Sequence, residues 1–311
     1  MMSDTIRIFA PATVANVGPG FDVLGFAIDA PGDEVVIRRS AQPRIRLVEI
    51  TGDEGRLTMA ADQNSVTVPM LRYLEEHPTD GGFEVHLHKK MPLGSGLGSS
   101  AASAVAGVYG LNMMLGGRVT RADVLRYALE GERVACGVGH ADNAAACLYG
   151  GFTLVRSNDP LDVIPLQPAC DLFAAVVHPH IEIRTEDSRR IMRTYVTLAK
   201  AVVQWGNIGG LIAGILQGDT GLIARSINDV IVEPIRSVLI PGFDAVKFDA
   251  LQAGALGCSI SGSGPSIFAL CADLETAQKV GLAMKKCFAQ IGLDADLFVS
   301  EINRIGPKIL D

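Results

Sequence analysis

Apolar and polar positions along the chain change period several times, and each change marks an element. Thr5 to Ala10 reads as a strand that runs into Pro11 and then a Gly-rich loop, Val14-Ala15-Asn16-Val17-Gly18-Pro19-Gly20-Phe21-Asp22. Val35 to Ile37 and Ile45 to Ile50 read as further strands, and Phe83 to His88 alternates apolar with polar residues at period two. From Ser99 to Leu115 the residues are mostly Ala, Ser, Val and Leu, which predicts a buried helix directly after the glycines at 94, 96 and 98. Thr120-Arg121-Ala122-Asp123 has the form of a capping box, with Val124, Leu125, Ala128, Leu129 and Val134 following at helical spacing. Another helix covers Asp142 to Leu148 and ends near Gly150-Gly151.

A second region opens after the turn signal Asn158-Asp159-Pro160, and Leu172 to His178 gives a fresh buried strand. Two or three helices occupy Thr185 to Val238. Ser266 to Cys271 is apolar enough for a strand, and Asp273 can cap a helix whose Ala277, Val280, Met284, Phe288 and Ile291 share one face. Asp296 to Glu301 closes a strand-helix-strand unit. No internal repeat or low-complexity stretch interrupts this order, and two domains are expected, residues 1–160 and 161–311.

Composition narrows the function classes. With 311 residues, 48% hydrophobic and 20% charged, the chain can bury a large core. A formal charge of −7 and 5% aromatic residues argue against a nucleic-acid or anionic-membrane surface, which needs clustered Lys and Arg. No apolar run reaches the ~18 residues that span a bilayer, and no signal-peptide pattern opens the chain, so a cytoplasmic protein is expected. The six cysteines, at 136, 147, 170, 258, 271 and 287, lack zinc or redox spacing and read as reduced core residues. His86-Leu87-His88 and His178-Pro179-His180 have no third ligand near them in sequence and read as structural.

The candidate chemistry lies in Pro92-Leu93-Gly94-Ser95-Gly96-Leu97-Gly98-Ser99-Ser100-Ala101-Ala102. Alternating glycines before an apolar helix expose consecutive N–H groups at the positive end of a helix dipole, which suits a polyphosphate. No Gly-Lys-Ser or Gly-Lys-Thr follows, so this is not a Walker loop. Taken alone, the loop also fits a tight turn that packs a helix on a sheet.

Three ordered segments tip the balance. The loop at 92–102, Ala10 to Gly25 with its Asn16 and Phe21-Asp22-Val23-Leu24-Gly25, and Ser259-Ile260-Ser261-Gly262-Ser263-Gly264-Pro265-Ser266 together resemble the GHMP kinases. The resemblance implies a two-domain α+β fold, with an N-terminal domain like the second domain of ribosomal protein S5 and a ferredoxin-like C-terminal α/β sandwich. ATP would lie in the cleft between them. Within the family, Ala10 to Gly25, Glu132 to Asn143, Thr185 to Arg189 and Glu233 to Arg236 resemble the branch that phosphorylates L-homoserine for threonine biosynthesis. The chain departs from that branch at Ile191-Met192-Arg193, where Ile-Leu-Pro is usual, and at Ala146, where proline is common.

What the resemblance implies for the residues is specific. Pro92, Leu93, Gly94, Ser95, Gly96, Leu97, Gly98, Ser99 and Ser100 would bind the nucleotide, with Asn64 at the adenine edge. Ser100 and Glu132 would hold Mg2+. Asn16, Asp22, Asn143, Thr185, Arg189, Arg236 and Gly262 would bind the amino acid, the two arginines as forks for its carboxylate and Asn16 and Asp22 facing its ammonium. Asn143, Glu132 and Ser100 would carry catalysis. An amide cannot accept the hydroxyl proton, so Asn143 implies catalysis by positioning, with the proton passing to the γ-phosphate. Asp142 is the competing base, expected to point elsewhere from its neighbouring helical position. Another GHMP kinase (mevalonate or diphosphocytidyl-methylerythritol kinase) and a non-catalytic nucleotide-binding regulator are the alternatives, and a homodimer is expected.

Overall fold

The computed structural model describes residues 4–137 and 139–311. Strands β1 (Thr5–Ala15), β2 (Leu24–Ser40), β3 (Ile45–Thr51) and, after helix α1 (Val68–Glu76), β4 (Gly82–His88) form the first sheet. Helices α2 (Ser99–Met114), α3 (Arg121–Cys136) and α4 (Ala141–Tyr149) follow, and then the hairpin β5 (Phe152–Asn158) and β6 (Leu161–Leu166). Strand β7 (Phe173–Pro179) begins the second sheet. Helices α5 (Thr185–Arg190), α6 (Leu198–Gln217), α7 (Thr220–Ser226), α8 (Glu233–Arg236) and α9 (Phe243–Gln252) separate it from β8 (Gly257–Ile260) and β9 (Ile267–Cys271). Helix α10 (Leu274–Gln290) and β10 (Ala295–Glu301) complete that layer, and β11 (Lys308–Leu310) returns to the first sheet.

Among the described residues the first sheet runs β11-β1-β2-β4-β3, with β5 and β6 extending it from β2. The second runs β10-β7-β9-β8, antiparallel throughout, which is the ferredoxin-like order. Period-two alternation divides its side chains between two cores. Leu172, Ala174, Val176, Phe268 and Leu270 join the large core under the first sheet, where Phe26 packs on Phe152 at 5.0 Å and edge-on to Phe268 at 5.6 Å. Ala175, Val177, Ile267, Ala269 and Cys271 face the opposite way, onto Val246 of α9 and Val280, Met284 and Phe288 of α10. Helix α2 is apolar nearly all round and accordingly lies inside the protein.

Several sequence expectations shift. The strand expected to end at Ala10 continues through Pro11 to Ala15, because a register irregularity between Pro11 and Thr13 spares the ladder the missing N–H. Val35 to Ile37 is the middle of a 17-residue strand. Helix α1 and the β5–β6 hairpin carried no mark in the sequence reading, since both are short and partly solvated. Residues 161–166 and 308–310 bond into the first sheet, so the chain beyond residue 160 contributes to both layers. Val134 and Ile291, expected on buried stripes, are 44% and 50% exposed as their helices run out of the core. Cys147, Cys258, Cys271 and Cys287 are buried free thiols and Cys170 is half-buried, while the side chain of Cys136 lies outside the described set.

Candidate active site

The three recognisable segments meet at one place. Gly94, Gly96 and Gly98 take φ of 67°, 78° and 68°, a left-handed alternation that turns successive backbone groups toward the start of α2, with Gly98 as its N-cap. At Gly98 a Cβ would fall on Thr13 Oγ1 and within 2.8 Å of Asn143 Oδ1, so both conformation and space demand glycine. The first segment braces the loop by a bond from Thr13 N to Leu97 O (3.0 Å). The last segment braces it through Ser261 Oγ to Gly96 O (2.7 Å) and Ser266 N to Ser95 O (3.2 Å).

Under the loop sits a buried ion pair. Lys89 Nζ meets Asp33 and also donates to Ser99 O (2.9 Å) and Ser103 Oγ (2.8 Å). Asp33, fully buried, accepts further from Lys90 N (2.8 Å), Met91 N (3.2 Å) and Ser99 Oγ (2.8 Å). One carboxylate thus ties β2, the exit of β4 and the first residue of α2 together. Neither residue stood out in the sequence, because their juxtaposition is a product of strand pairing.

A cleft of about 530 Å³ opens above the loop. It brings together Asn16, Asp22, Leu93, Gly94, Ser95, Gly96, Gly98, Ser99, Ser100, Glu132, Asn143, Thr185, Arg189, Arg236 and Gly262 from the expected set. Pro92 and Leu97 do not line it, Leu97 turning its side chain into the core. Asn64 does not line it either. Its Nδ2 donates to Thr58 O (2.8 Å) and its Oδ1 accepts from Val66 N (3.1 Å), so the amide shapes the turn before α1 while Ser65 reaches the cleft.

Two arginines and a strained turn meet at one part of the cleft. Arg236 is buried, donates to Gly262 O (3.1 Å), and stacks 4.8 Å from the Phe21 ring centre, with the Arg189 guanidinium 5.7 Å from the same ring. Burial first, and then the charge of Arg189, push the Arg236 pKa down to about 10, so it remains a cation at neutral pH. Arg189 pairs with Asp22 at 2.9 and 3.2 Å. Asn16 is committed as well, donating to Gly262 O (2.7 Å) and accepting from Asp22 N (3.1 Å). Asn16, Val17 and Asp22 all hold positive φ (71°, 45° and 60°), unusual for residues with a Cβ and most of all for β-branched Val17. Asp22 and Asn16 were expected to face an ammonium; they also orient Arg189 and the 262 turn.

At the α4 end, Thr13 Oγ1 donates to Asn143 Oδ1 (2.8 Å), which leaves Nδ2 as the group this amide offers the cleft. Asp142, expected to point away, lines the cleft too, because α4 has only just begun and its first turn faces the opening. Its pKa is raised to about 6, by burial first and then by Asp22. Glu132 is 2% exposed, with Oε2 3.7 Å from His140 Nδ1 and Oε1 buried without a hydrogen-bond partner. An orphaned oxygen on a carboxylate that lines the cleft fits a cation. Among the described residues no cluster of three acidic, His or Cys ligands exists. Across the mouth, Arg56 donates to both oxygens of Glu182 (2.8 and 3.0 Å), an exposed bridge that sequence reasoning missed. The histidine pairs bind locally: His86 to Glu49 (3.1 Å), His88 to Thr51 (2.8 Å) and His178 to Ser266 (3.2 Å).

A glycine nest on a buried helix, beside a cleft lined by two arginines in a two-sheet frame, is the layout of a small-molecule phosphotransferase. The model of the GHMP kinases N-terminal domain matches residues 64–151, that of the C-terminal domain matches 211–290, and the chain belongs to the GHMP kinase family. Within the family its full-length likeness is to homoserine kinases. The homoserine kinase of Chlorobium phaeovibrioides is 48% identical over 98% of this chain and 99% of its own length, and that of Xylella fastidiosa strain 9a5c is 36% identical over 98% and 94%. The crystal structure of homoserine kinase from Cytophaga hutchinsonii superposes with a TM-score of 0.97 at 59% identity, covering 100% of this chain and 98% of that one. L. major mevalonate kinase, at 16% identity and a TM-score of 0.71 over 95% of each chain, shares the fold.

Proposed function

We propose that this kinase transfers the γ-phosphoryl group of ATP to the side-chain hydroxyl of L-homoserine, giving O-phospho-L-homoserine for threonine biosynthesis. The observation that carries the reading is the pair of guanidinium groups converging on Phe21 within the cleft. Two like charges brought together under burial lower the Arg236 pKa, and an α-carboxylate placed between them relieves that cost. Mevalonate also carries a carboxylate but no ammonium. Asp22, half-exposed beside Arg189, supplies the anionic partner that an amino acid requires.

The phosphates sit on the 94–100 nest and the α2 N-terminus, which stabilises the charge that spreads over the transferred group. Glu132, through its orphaned oxygen, and Ser100 would hold Mg2+, which neutralises phosphate charge when bound. Homoserine Oδ attacks the γ-phosphorus as the bond to the ADP oxygen breaks, and the hydroxyl proton passes to a transferred phosphoryl oxygen. Asn143, held by Thr13, donates from Nδ2 to position the reacting oxygens rather than to take a proton. Asp142 supports a second reading, since a carboxyl of pKa about 6 in the cleft is suited to general-base work. We place the reaction in the cytosol, in keeping with the free thiols.

ADP release should be measured with homoserine, mevalonate, galactose and threonine side by side. Turnover with homoserine alone is expected, and turnover only with another acceptor would overturn the assignment. Arg236→Ala should raise the homoserine KM by about 100-fold, leaving the ATP KM within a few-fold. If Asp142 is the base, kcat falls as pH drops through about 6 and Asp142→Asn loses at least ~100-fold; under the positioning reading that loss falls on Asn143→Ala instead.

A further inference from the structure

Most cations that line the cleft are committed to a partner. Lys89 is buried on Asp33, Arg236 is buried against Gly262 O and Phe21, and Arg189 pairs with Asp22. Arg56 is held differently. It follows β3 in a turn fixed by buried Asp53, whose backbone oxygen accepts from Arg56 N (3.0 Å) and whose Oδ2 accepts from Leu57 N (3.1 Å). Its Nη2 alone is used, donating to both oxygens of Glu182 in the segment between β7 and α5, and its Nε and Nη1 have no hydrogen-bond partner among the described residues. With side chains 45% and 46% exposed, such a bridge contributes little to stability. Its place in the cleft is the unusual feature. Glu182 lies on the first glycine of the nest, since a Cβ on Gly94 would come 2.9 Å from Glu182 Cγ and 3.2 Å from its Oε1. A carboxylate thus rests against a loop whose backbone N–H groups and helix dipole favour an incoming anion.

We propose that Arg56 is a phosphate-binding residue of the kinase and that Glu182 is its positioning residue, holding the guanidinium beside the 94–100 nest while Nε and Nη1 take phosphate oxygens of the nucleotide. The inference rests on the nucleotide part of the function proposed above. Alone at that point, the Glu182 carboxylate would repel a triphosphate seated on the nest, well inside the ~10 Å over which salt screens charge. Paired with Arg56 it is neutralised, and the planar fork of a guanidinium lets one nitrogen keep a carboxylate while the others reach a second anion. Because Arg56 and Glu182 come from segments that follow strands of different sheets, the bridge sets the guanidinium over the cleft rather than leaving it free in solvent. Arg184 is a second exposed cation on the cleft wall, but its guanidinium has no partner among the described residues and no such brace fixes it.

Calorimetric titration with ATP and magnesium reads the contact directly, and adenosine, which has no phosphates, is measured by competition. Arg56→Ala should weaken ATP binding by at least ~10-fold and leave adenosine within about 2-fold of the unsubstituted protein. Adding Glu182→Ala to Arg56→Ala should recover several-fold of that loss, because it takes the lone carboxylate away from the nest. Arg184→Ala removes the same charge from the cleft wall and should change ATP affinity by less than about 3-fold. Loss of ATP and adenosine binding alike in Arg56→Ala overturns the proposal, as does a double variant no better than Arg56→Ala, or an Arg184→Ala as damaging as Arg56→Ala. An unsubstituted protein that binds no ATP overturns the functional reading together with this one. If it binds ATP and Arg56→Ala binds it equally well, this inference alone falls.

Discussion

At the residue scale, the site is built from side chains held in costly states, and each has a measurable signature. The Asp142 carboxyl, ordinarily near 3.8, is raised to about 6, so between those values the folded chain holds a proton that the unfolded chain has released. Its burial therefore costs nothing below about pH 4, and the cost grows with pH until it levels off above about 6, at roughly 3 kcal/mol. Asp142→Asn, which keeps an oxygen for Asn143 N, should stabilise the protein by about 2–3 kcal/mol at pH 8 and by almost nothing at pH 4, as read from urea midpoints at the two pH values. Thr13→Val frees the Asn143 amide to rotate. It should lower kcat by about 10- to 100-fold with little change in the ATP KM, measured by steady-state kinetics. Gly98→Ala meets both positive φ and Thr13, and should lose at least ~2 kcal/mol of stability together with nucleotide affinity, checked by denaturation and by calorimetric ATP titration.

At the scale of elements, the N-terminal end of α2 depends on what holds its first residue. Asp33 and Lys89 do this from two strands, with side chains 0% and 2% exposed. Removing one partner strands the other in the interior, so Lys89→Met should cost about 3–5 kcal/mol, and adding Asp33→Asn should restore part of it in a double-mutant cycle. Elements governed by local rules were readable in advance. Thr120 and Asp123 form the reciprocal cap that their spacing announces, with Asp123 N donating to Thr120 Oγ1 (3.2 Å) and Thr120 N to Asp123 Oδ2 (3.1 Å). Asp273 caps α10 in the same way, accepting from Thr276 N (2.7 Å). Helix α1 escaped notice because Pro69 occupies its first turn and the stretch is only nine residues long. Asn64 illustrates the same limit: a polar residue beside a helix start can serve as a ligand contact, a turn-former or both, and its sequence context does not distinguish these roles.

At the scale of the whole molecule, both sheets feed the large core, with Phe268 of the second lying edge-on to Phe26 of the first. The residues after β10 extend this union, as Asn303 Nδ2 donates to Asp29 (2.8 Å) and β11 pairs with β1. The two layers should therefore melt together in one calorimetric transition. Phe268→Ala should lower that single transition by about 3–5 kcal/mol rather than split it, and two separated transitions would contradict the shared core. Under the proposed function, saturating nucleotide at about 100-fold over its Kd should raise stability by ~2.7 kcal/mol, seen as an upward shift of the same transition.

The sequence by itself determined the local chemistry. Alternating glycines before an apolar helix, caps and period-two strands all follow from backbone geometry and side-chain propensity over a few residues. Tertiary structure alone decided which side chains share the cleft. Arg189 and Arg236 stand far apart in sequence yet meet over Phe21; Lys89 finds Asp33 by strand pairing; Asp142 turns into the cleft through the placing of one helix start; and Arg56 meets Glu182 across the cleft mouth. Such contacts depend on the register and packing of distant segments, which no short window of sequence specifies.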